Sequence, residues 1–288
     1  MQRVVILTPN PDDMAYAGRW SEVRDRMVGP LRAEGFEVDS RSWFNDAGGL
    51  GGYDLILPLT VWGYHRDHHD WLATIEGWEF EGLPVLNPTS VLRWNSDKRY
   101  LGRLFRLGAP VVPTLFVDEL DAADVERAAR EFHTETLIVK PQVSASAYRT
   151  LKIRPGDPIE DGPEGPAMIQ PFLDQVGGEG ELSLVYFNGE YSHAIRKVAA
   201  RGDFRVQPEW GGHITDYTPD ADVRAAAERV LESVEEPLLY ARVDLVRDNA
   251  GRPQLMELEL VEPDLYLGYT PEAPRRFAKA VREAVEGL

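Results

Sequence analysis

The sequence predicts an α/β chain that opens with a parallel sheet and continues as α+β segments, and three observations carry that prediction. Residues 1–95 alternate short apolar runs with a helical stretch (RVVILTP, WSEVRDRMVGPLRAEG, FEVDSRSW, YDLILPLTVW), the rhythm of β–α–β units on a parallel sheet. Two later segments read as antiparallel hairpins, one turned at Asn188-Gly189 and one around Asp248–Gly251. Between and after them lie amphipathic stretches, DADVRAAAERVLESV and RRFAKAVREAVEGL, with helical period.

Taken in order, RVVILTP is an expected buried strand, and the helix after it closes on Gly35, with Gly29-Pro30 expected to interrupt it. The glycines at 48, 49, 51 and 52 lack the spacing of a dinucleotide fingerprint. A short strand ends at Asn87-Pro88, and a helix follows with Ser96 as its N-cap and Gly108 as its stop. Prolines 110 and 113 enforce extended chain. DAADVERAAREF is a helix, TLIVKPQ a strand, VSASAYRTLKI a small-residue loop leading into a strand, PGDPIEDGPEGP an exposed loop and MIQPFL a strand. The hairpins ELSLVYFNGEYSHAIRKVA and YARVDLVRDNAGRPQLMELELVE bracket the first amphipathic helix, and the second ends the chain.

The bulk numbers exclude several classes. With 43% hydrophobic and 27% charged residues among 288, the chain is an ordinary globular protein with room for substantial cores. A net charge of −17 repels nucleic acid and anionic membranes, so neither is an expected partner. No run is apolar enough to span a bilayer, and the start lacks a secretory pattern. The absence of cysteine rules out disulfides, thiolate metal sites and thiol catalysis, and it fits a cytoplasmic location.

Within PQLMELELVEP, Glu257 and Glu259 are two residues apart on a strand and share a face. Asp244, on the partner strand, can reach that face. Three converging carboxylates repel one another unless divalent cations gather them, and Mg²⁺ prefers such hard oxygen ligands. The bland alternative is a solvated strand face paired with Arg242 or Arg252. Glu262 falls after the strand, because Pro263 ends it, and is left out of the metal set. Lys140 closes an apolar run beside the small-residue loop, where an ammonium and backbone amides can hold phosphates. Lys98 stands after WNSD. Their bland readings are a snorkelling edge lysine and an ordinary surface lysine.

The ordered set Lys98, Lys140, small-residue loop, MIQPFL, Glu181, then Asp244 with Glu257-x-Glu259 resembles the ATP-grasp ligases, in particular their RimK and glutathione synthetase branch. WNSDKRYLGRL, GAPVVPT and SHAIRKVA with GDFRVQPEWGG are similar to the O-ureidoserine cyclo-ligase group. The resemblance implies an ATP-grasp fold: a Rossmann-like parallel-sheet domain over 1–95, then two α+β subdomains gripping ATP, 96–165 with a lid and 166–288 with a metal site. It implies that Lys98 and Lys140 hold the α- and β-phosphates, with Ser144 and Ser146 in the lid. Phe172 and Leu173, after Gln170, would read the adenine edge by their backbone. Glu181 would bind the ribose, and Leu258 would line the nucleotide site. Asp244, Glu257 and Glu259 would ligate two Mg²⁺ ions, with Mn²⁺ as a substitute. Arg196, Lys197 and Arg205 would be the catalytic cations, facing the γ-phosphate and an acyl phosphate. Two departures stand out: the lid VSASAY has no glycine, and Glu259 stands where the family often has Asn, which adds a negative charge.

The implied activity is an ATP-dependent ligation. A small carboxylate is activated as an acyl phosphate and attacked by an amine or similar nucleophile, releasing ADP and phosphate. An intramolecular ring closure and a non-catalytic ATP-binding regulatory protein are the alternatives. Small-molecule substrates are the expected partners, and a homodimer or homotetramer is usual among such ligases. The acceptor pocket is expected at VWGYHRDHHDW, from Trp62, Tyr64, Trp71 and Arg66, with His65, His68 and His69 as pocket lining or, alternatively, metal ligands.

Overall fold

The computed structural model describes residues 1–10, 12, 13, 16, 18–44, 49–200, 202–206 and 210–288; Gly48 and residues 207–209 of the quoted GDFRVQPEWGG motif lie outside them. The chain opens as β1 (Arg3–Thr8), α1 (Arg19–Ala33), β2 (Glu37–Ser42) and β3 (Leu55–Leu57), and the three strands form a parallel sheet in the order β2-β1-β3. Both faces of β1 are buried, which is why its sequence reads as a continuous apolar run rather than an alternating one. Helix α1 runs through Pro30 without a break. Pro30 lacks the N–H for one helical hydrogen bond, but the burial of Met27 and Leu31 on either side of it holds the helix to its core.

The next segment differs most from expectation. His68 opens a helix, α2 (His68–Phe80), where the sequence suggested pocket lining, and Trp71, Ile75 and Trp78 anchor it in the core. It is followed by α3 (Thr89–Asn95) and α4 (Tyr100–Arg106). Ser96 closes α3 instead of capping the next helix: its amide bonds to the Leu92 carbonyl at 3.3 Å and its hydroxyl to the Arg93 carbonyl at 2.9 Å. Lys98 therefore sits in the tight turn between two helices rather than on one.

A four-stranded antiparallel sheet follows, ordered β4-β7-β5-β6 from β4 (Leu115–Val117), β5 (Leu137–Pro141), β6 (Leu151–Ile153) and β7 (Ala167–Pro171). Helix α5 (Ala122–Glu131) covers one face, and Asp121 and Asp124 cap its start reciprocally. The expected division at 165/166 would cut this sheet, because β7 pairs with both β4 and β5.

The last sheet has five antiparallel strands in the order β10-β9-β8-β11-β12: β8 (Glu181–Phe187), β9 (Glu190–Val198), β10 (His213–Tyr217), β11 (Tyr240–Arg247) and β12 (Pro253–Glu259). Asn188 and Gly189 both take positive φ, +48° and +78°, as a two-residue hairpin turn needs. Helix α6 (Ala221–Glu232) packs on one face, with Leu182, Leu184, Val243 and Leu245 beneath it. Helix α7 (Ala273–Gly287) packs on the other, where Phe277 meets Phe187 with ring centroids 5.7 Å apart. The same core takes in Val4, Ile6, Met27 and Leu31, so α7 fastens the parallel sheet to the five-stranded one. Buried Asn87 adds a polar tie: its side chain donates to the carbonyls of Tyr240 and Leu260 and accepts from the Leu239 amide. No described helix is long and apolar enough to cross a membrane.

Candidate active site

A cleft of about 530 Å³ runs between the four- and five-stranded sheets and reaches α1 and the turn at 62–64 beyond β3. One end is apolar, walled by Val112, Ile138, Leu173, Val176, Val246 and Met256. The other end is charged, and its charges come from the alternation of side chains along neighbouring strands.

The register places Asp244 opposite Glu257 and Arg242 opposite Glu259 on β11 and β12, while Glu181 of β8 faces Lys197 of β9. Asp244 also lies opposite Ser183, two residues from Glu181, so all these groups stand on one face. Leu258, with the opposite parity, points into the core, and its amide donates to the Tyr100 hydroxyl at 2.9 Å. The face expected for Asp244, Glu257 and Glu259 is therefore the face that lines the cleft.

Each of these acids is held by a cation. Lys98 Nζ lies 3.1 Å from Glu257 Oε1 and donates to the Ser144 carbonyl. Arg242, missed as a site residue, is buried; it grips both oxygens of Asp244 at 2.9–3.2 Å, pairs with Glu259 and donates to the Asp264 carbonyl. Its signal in the sequence was the i, i+2 spacing with Asp244 on one strand. Lys197 Nζ lies 2.6 Å from Glu181 and 3.5 Å from Asp244. Burial pushes the Asp244 carboxyl up, but Arg242 and Lys197 outweigh it and hold it well below the usual range. Burial acts on Glu257 too, and Lys98 and Lys140 still draw it down. Glu259 is raised well above its ordinary value by burial, with Asp244 and Glu257 adding to it against Arg242. Among the described residues no three His, Asp or Glu side chains already converge on one point as ligands. The donors are nonetheless the hard oxygens a magnesium ion takes, gathered on one face of a recess, and they fit it once the ion shares the neutralising role of Lys98 and Arg242.

The remaining candidates divide. Lys140 lines the cleft from β5, and burial lowers its pKa against the pull of Glu257. Ser144 and Ser146 line it as well: Ser144 bonds to the Pro141 carbonyl, and Ser146 begins a run of positive φ with Ala147 and Arg149. Gln170 is buried and donates to the Thr114 hydroxyl. The Phe172 amide is committed to the Thr136 carbonyl at 2.9 Å, so of the two expected edge-reading amides Leu173 is the open one. Arg205 lines the cleft, paired with Asp203 at 2.8 Å and stacked 3.5 Å over Trp210. Arg196 does not join them. It is exposed on the opposite face of β9 from Lys197, because adjacent residues of a strand cannot share one face.

At the far end Tyr16, Trp62, Tyr64 and Glu262 line the cleft. Trp71 does not; it is fully buried against Trp43 and Trp78. His68 Nε2 lies 2.9 Å from the Ser96 hydroxyl, and His69 is exposed on α2. The His65 ring stands 6.0 Å from that of Tyr148.

Residues 4–87 match the family model described as the N-terminal domain of the D-cycloserine synthetase DcsG. Over 282 residues the chain is 28% identical to the cycloserine biosynthesis protein DcsG of Streptomyces lavendulae, covering 88% of this chain and 91% of that one. The crystal structure of the D-cycloserine synthetase DcsG superposes with a TM-score of 0.84 at 25% identity, over 98% of this chain and 99% of that one. A D-alanine–D-alanine ligase from Bacillus anthracis shares the fold, with a TM-score of 0.73 at 15% identity over 100% and 98% of the two chains.

Proposed function

The chain belongs to the ATP-grasp superfamily of ligases, and from that premise we propose that it activates a small-molecule carboxylate with ATP, through an acyl phosphate, for attack by a nitrogen nucleophile. The observation that carries this reading is the polarity of the cleft: an apolar slot at one end, and at the other two lysines from separate elements facing carboxylates on adjacent strands.

The slot between Val112, Val176, Val246 and Met256 suits a purine, with the Leu173 amide as donor to its edge. Lys140 and Lys98 meet the phosphates, and the loop at 144–147 closes over them. Glu181, already held by Lys197, serves the ribose hydroxyls. Asp244, Glu257 and Glu259 would hold magnesium, which would supply charge neutralisation along the triphosphate. Arg242, Lys197 and Arg205 line the cleft paired with acids, and once magnesium shares those acids they would face negative charge developing at the acyl carbon; Arg242 stands in the place that the resemblance gave to Arg196. The acyl phosphate is attacked by the nitrogen, phosphate departs, and a closed lid keeps water from competing.

A cyclo-ligase, with carboxylate and nucleophile in one molecule, is favoured within this class by the likeness to a D-cycloserine synthetase along nearly the whole chain. Mass spectrometry separates the variants: ring closure yields a product lighter than its substrate by one water, and intermolecular ligation joins two substrates. The test of the common step is ADP release across small amino acids and other carboxylates. Glu257→Gln should abolish it while circular dichroism stays unchanged. ADP production at the wild-type rate in that variant would remove the metal assignment, and tight ATP binding with no turnover on any compound would favour a regulatory ATP-binding protein.

A further inference from the structure

We propose that the Tyr266 hydroxyl is a neutral hydrogen-bond donor to an oxygen of the reacting carboxyl group, and that the strained turn carrying Tyr266 serves to aim it there. The proposal rests on the ligase reading for what the donor serves, but the placement of the side chain stands apart from that reading.

Beyond Pro263, a hydrogen bond fixes each of the next three residues in turn. Arg242 donates to the Asp264 carbonyl at 3.2 Å. His193 of β9 meets the Leu265 carbonyl through Nε2 at 2.9 Å. A carbonyl only accepts, so Nε2 carries the proton and Nδ1 is left to accept the Ser192 hydroxyl at 2.9 Å. The Asp264 carboxylate accepts the Tyr266 amide at 2.8 Å, and the Tyr266 carbonyl accepts the Tyr269 amide at 3.0 Å. Held this way, Tyr266 takes φ +47°, a left-handed conformation that glycine enters freely and a bulky residue enters only at a cost. Such strain persists where the surroundings over-determine it, and it points to a function for the side chain so placed.

The side chain is set among the cations of the charged end. Its buried ring lines the cleft, with the centroid 5.5 Å from Lys197 Nζ and 5.3 Å from Arg242 Cζ. Lys197 and Arg242 give their hydrogen bonds to Glu181, Asp244, Glu259 and the Asp264 carbonyl. Tyr100 and Tyr240 are committed as well, to the Leu258 amide and the Val261 carbonyl. The Tyr266 hydroxyl, by contrast, has no hydrogen-bond partner among the described residues. Burial, against the pull of Lys197 and Arg242, pushes this phenol up to about 12, so it keeps its hydrogen near neutral pH. An uncharged donor beside two cations meets an anionic oxygen, because the cations draw anions to that end. The cations attract a carboxylate whichever way it lies, while a hydroxyl on a rigid ring fixes how it turns. No bond breaks at Tyr266: the phenol keeps its hydrogen, and the carboxyl oxygen accepts it.

The test compares the full wild-type chain with Tyr266→Phe, which keeps the ring over the cations, and Tyr266→Leu, which keeps neither ring nor hydroxyl. The probe is dimethylphosphinate, an anion with two oxygens on a tetrahedral centre, titrated by ligand-observed NMR with magnesium and a non-hydrolysable ATP analogue present. Saturable binding is expected for the wild type. It should be about tenfold weaker in both variants, with ATP affinity in Tyr266→Phe within about twofold of wild type. No saturable binding, or unchanged affinity in Tyr266→Phe, overturns the proposal. A loss in Tyr266→Leu alone would assign the role to the ring and overturns it too. An equal loss of ATP affinity in Tyr266→Phe would make Tyr266 a prop for Lys197 and Arg242, and likewise overturns it. In turnover, Tyr266→Phe should lower kcat/KM for the carboxylate by about tenfold while KM for ATP stays level; a wild-type kcat/KM overturns the donor. Hydroxyl-dependent binding of dimethylphosphinate with no ADP release from any compound would leave the donor standing and remove the ligase reading instead.

Discussion

At the scale of single residues, the cleft balances charge with its own side chains before any ligand enters. Lys140 differs from Lys98, Lys197 and Arg242: it has no ion pair among the described residues, and burial makes its charge costly. An incoming phosphate would relieve that cost, so Lys140→Ala should weaken ATP by about tenfold or more, measured by calorimetry. An unchanged affinity would detach this lysine from the nucleotide. Glu262 gives a prediction in pH. In the folded chain it keeps its proton up to about pH 8, whereas once unfolded it loses the proton above its ordinary value of 4.5. The native state thus holds more protons across that interval, and stability falls as pH rises through it, by at most about 1.4 kcal/mol per unit. His65, lowered to about 4 by burial and then by Arg66 and Lys98, acts with the opposite sign, but only below its ordinary 6.5. Between pH 6.5 and 8 the Glu262 effect is therefore free of it. Glu259 is also raised by burial and acts in the same direction, but it is present in both proteins. In magnesium-free buffer the urea midpoint of the wild type should fall over that interval more steeply than that of Glu262→Gln. Parallel curves would place Glu262 in contact with water.

At the scale of elements, the strands read well wherever their period was undisturbed. The Asn188-Gly189 hairpin and the shared face of Glu257 and Glu259 followed from turn chemistry and parity, and the register agrees with both. The register also explains what stayed hidden. Parity assigns faces within one strand, but which residue of β9 faces Glu181 depends on how β8 and β9 are paired, so Arg196 and Lys197 could not be told apart beforehand. In the sequence Arg242 reads only as the pairing partner of a solvated strand face. Burial turns it into a clamp on two acids. Helix α2 escaped notice because its first turn is His68, His69 and Asp70, which reads as polar loop, while the tryptophans that hold it look like pocket lining until the core is assembled. Gly180 carries a prediction at this scale. Its φ is +96°, and a Cβ there would lie 2.3 Å from the Lys197 carbonyl oxygen. Gly180→Ala must force β8 and β9 apart next to the Glu181–Lys197 pair. A loss on the order of 1–3 kcal/mol in thermal unfolding is expected, with weaker ATP binding alongside. Stability and affinity both at the wild-type level would mean that the strands open there without strain.

At the scale of the whole molecule, the cores are unequally shared. The core around α7 joins the parallel sheet to the five-stranded sheet, and Asn87 ties the same two parts by hydrogen bonds. The four-stranded sheet and α5 pack mainly around a core of their own, built from Val117, Val125, Leu137, Val139, Ile153 and Ile169, while Met168 and Phe116 from the same sheet join the core of the five-stranded one. Beyond that apolar contact, its links to the rest run along the cleft, through the Lys98 amide on the Gln142 carbonyl and the Lys98 ammonium on the Ser144 carbonyl. A body whose main core is its own, tied to the rest by a small apolar contact and few hydrogen bonds, should open at lower cost than the rest, so the four-stranded one should open first. A nucleotide lying in the cleft would touch Lys140 and Leu173 on one body and Glu257 on the other, so its binding energy would reach the weaker body directly. Native-state hydrogen exchange should therefore show lower protection in β5 and β7 than in β1 and β8. Addition of ATP and magnesium at about a hundred times Kd should narrow the gap by up to about 2.7 kcal/mol, while α7 changes little. A uniform rise in every strand would instead mean that the chain opens as one unit, and the lid would then have to close by moving its own residues rather than by the sheet beneath it swinging.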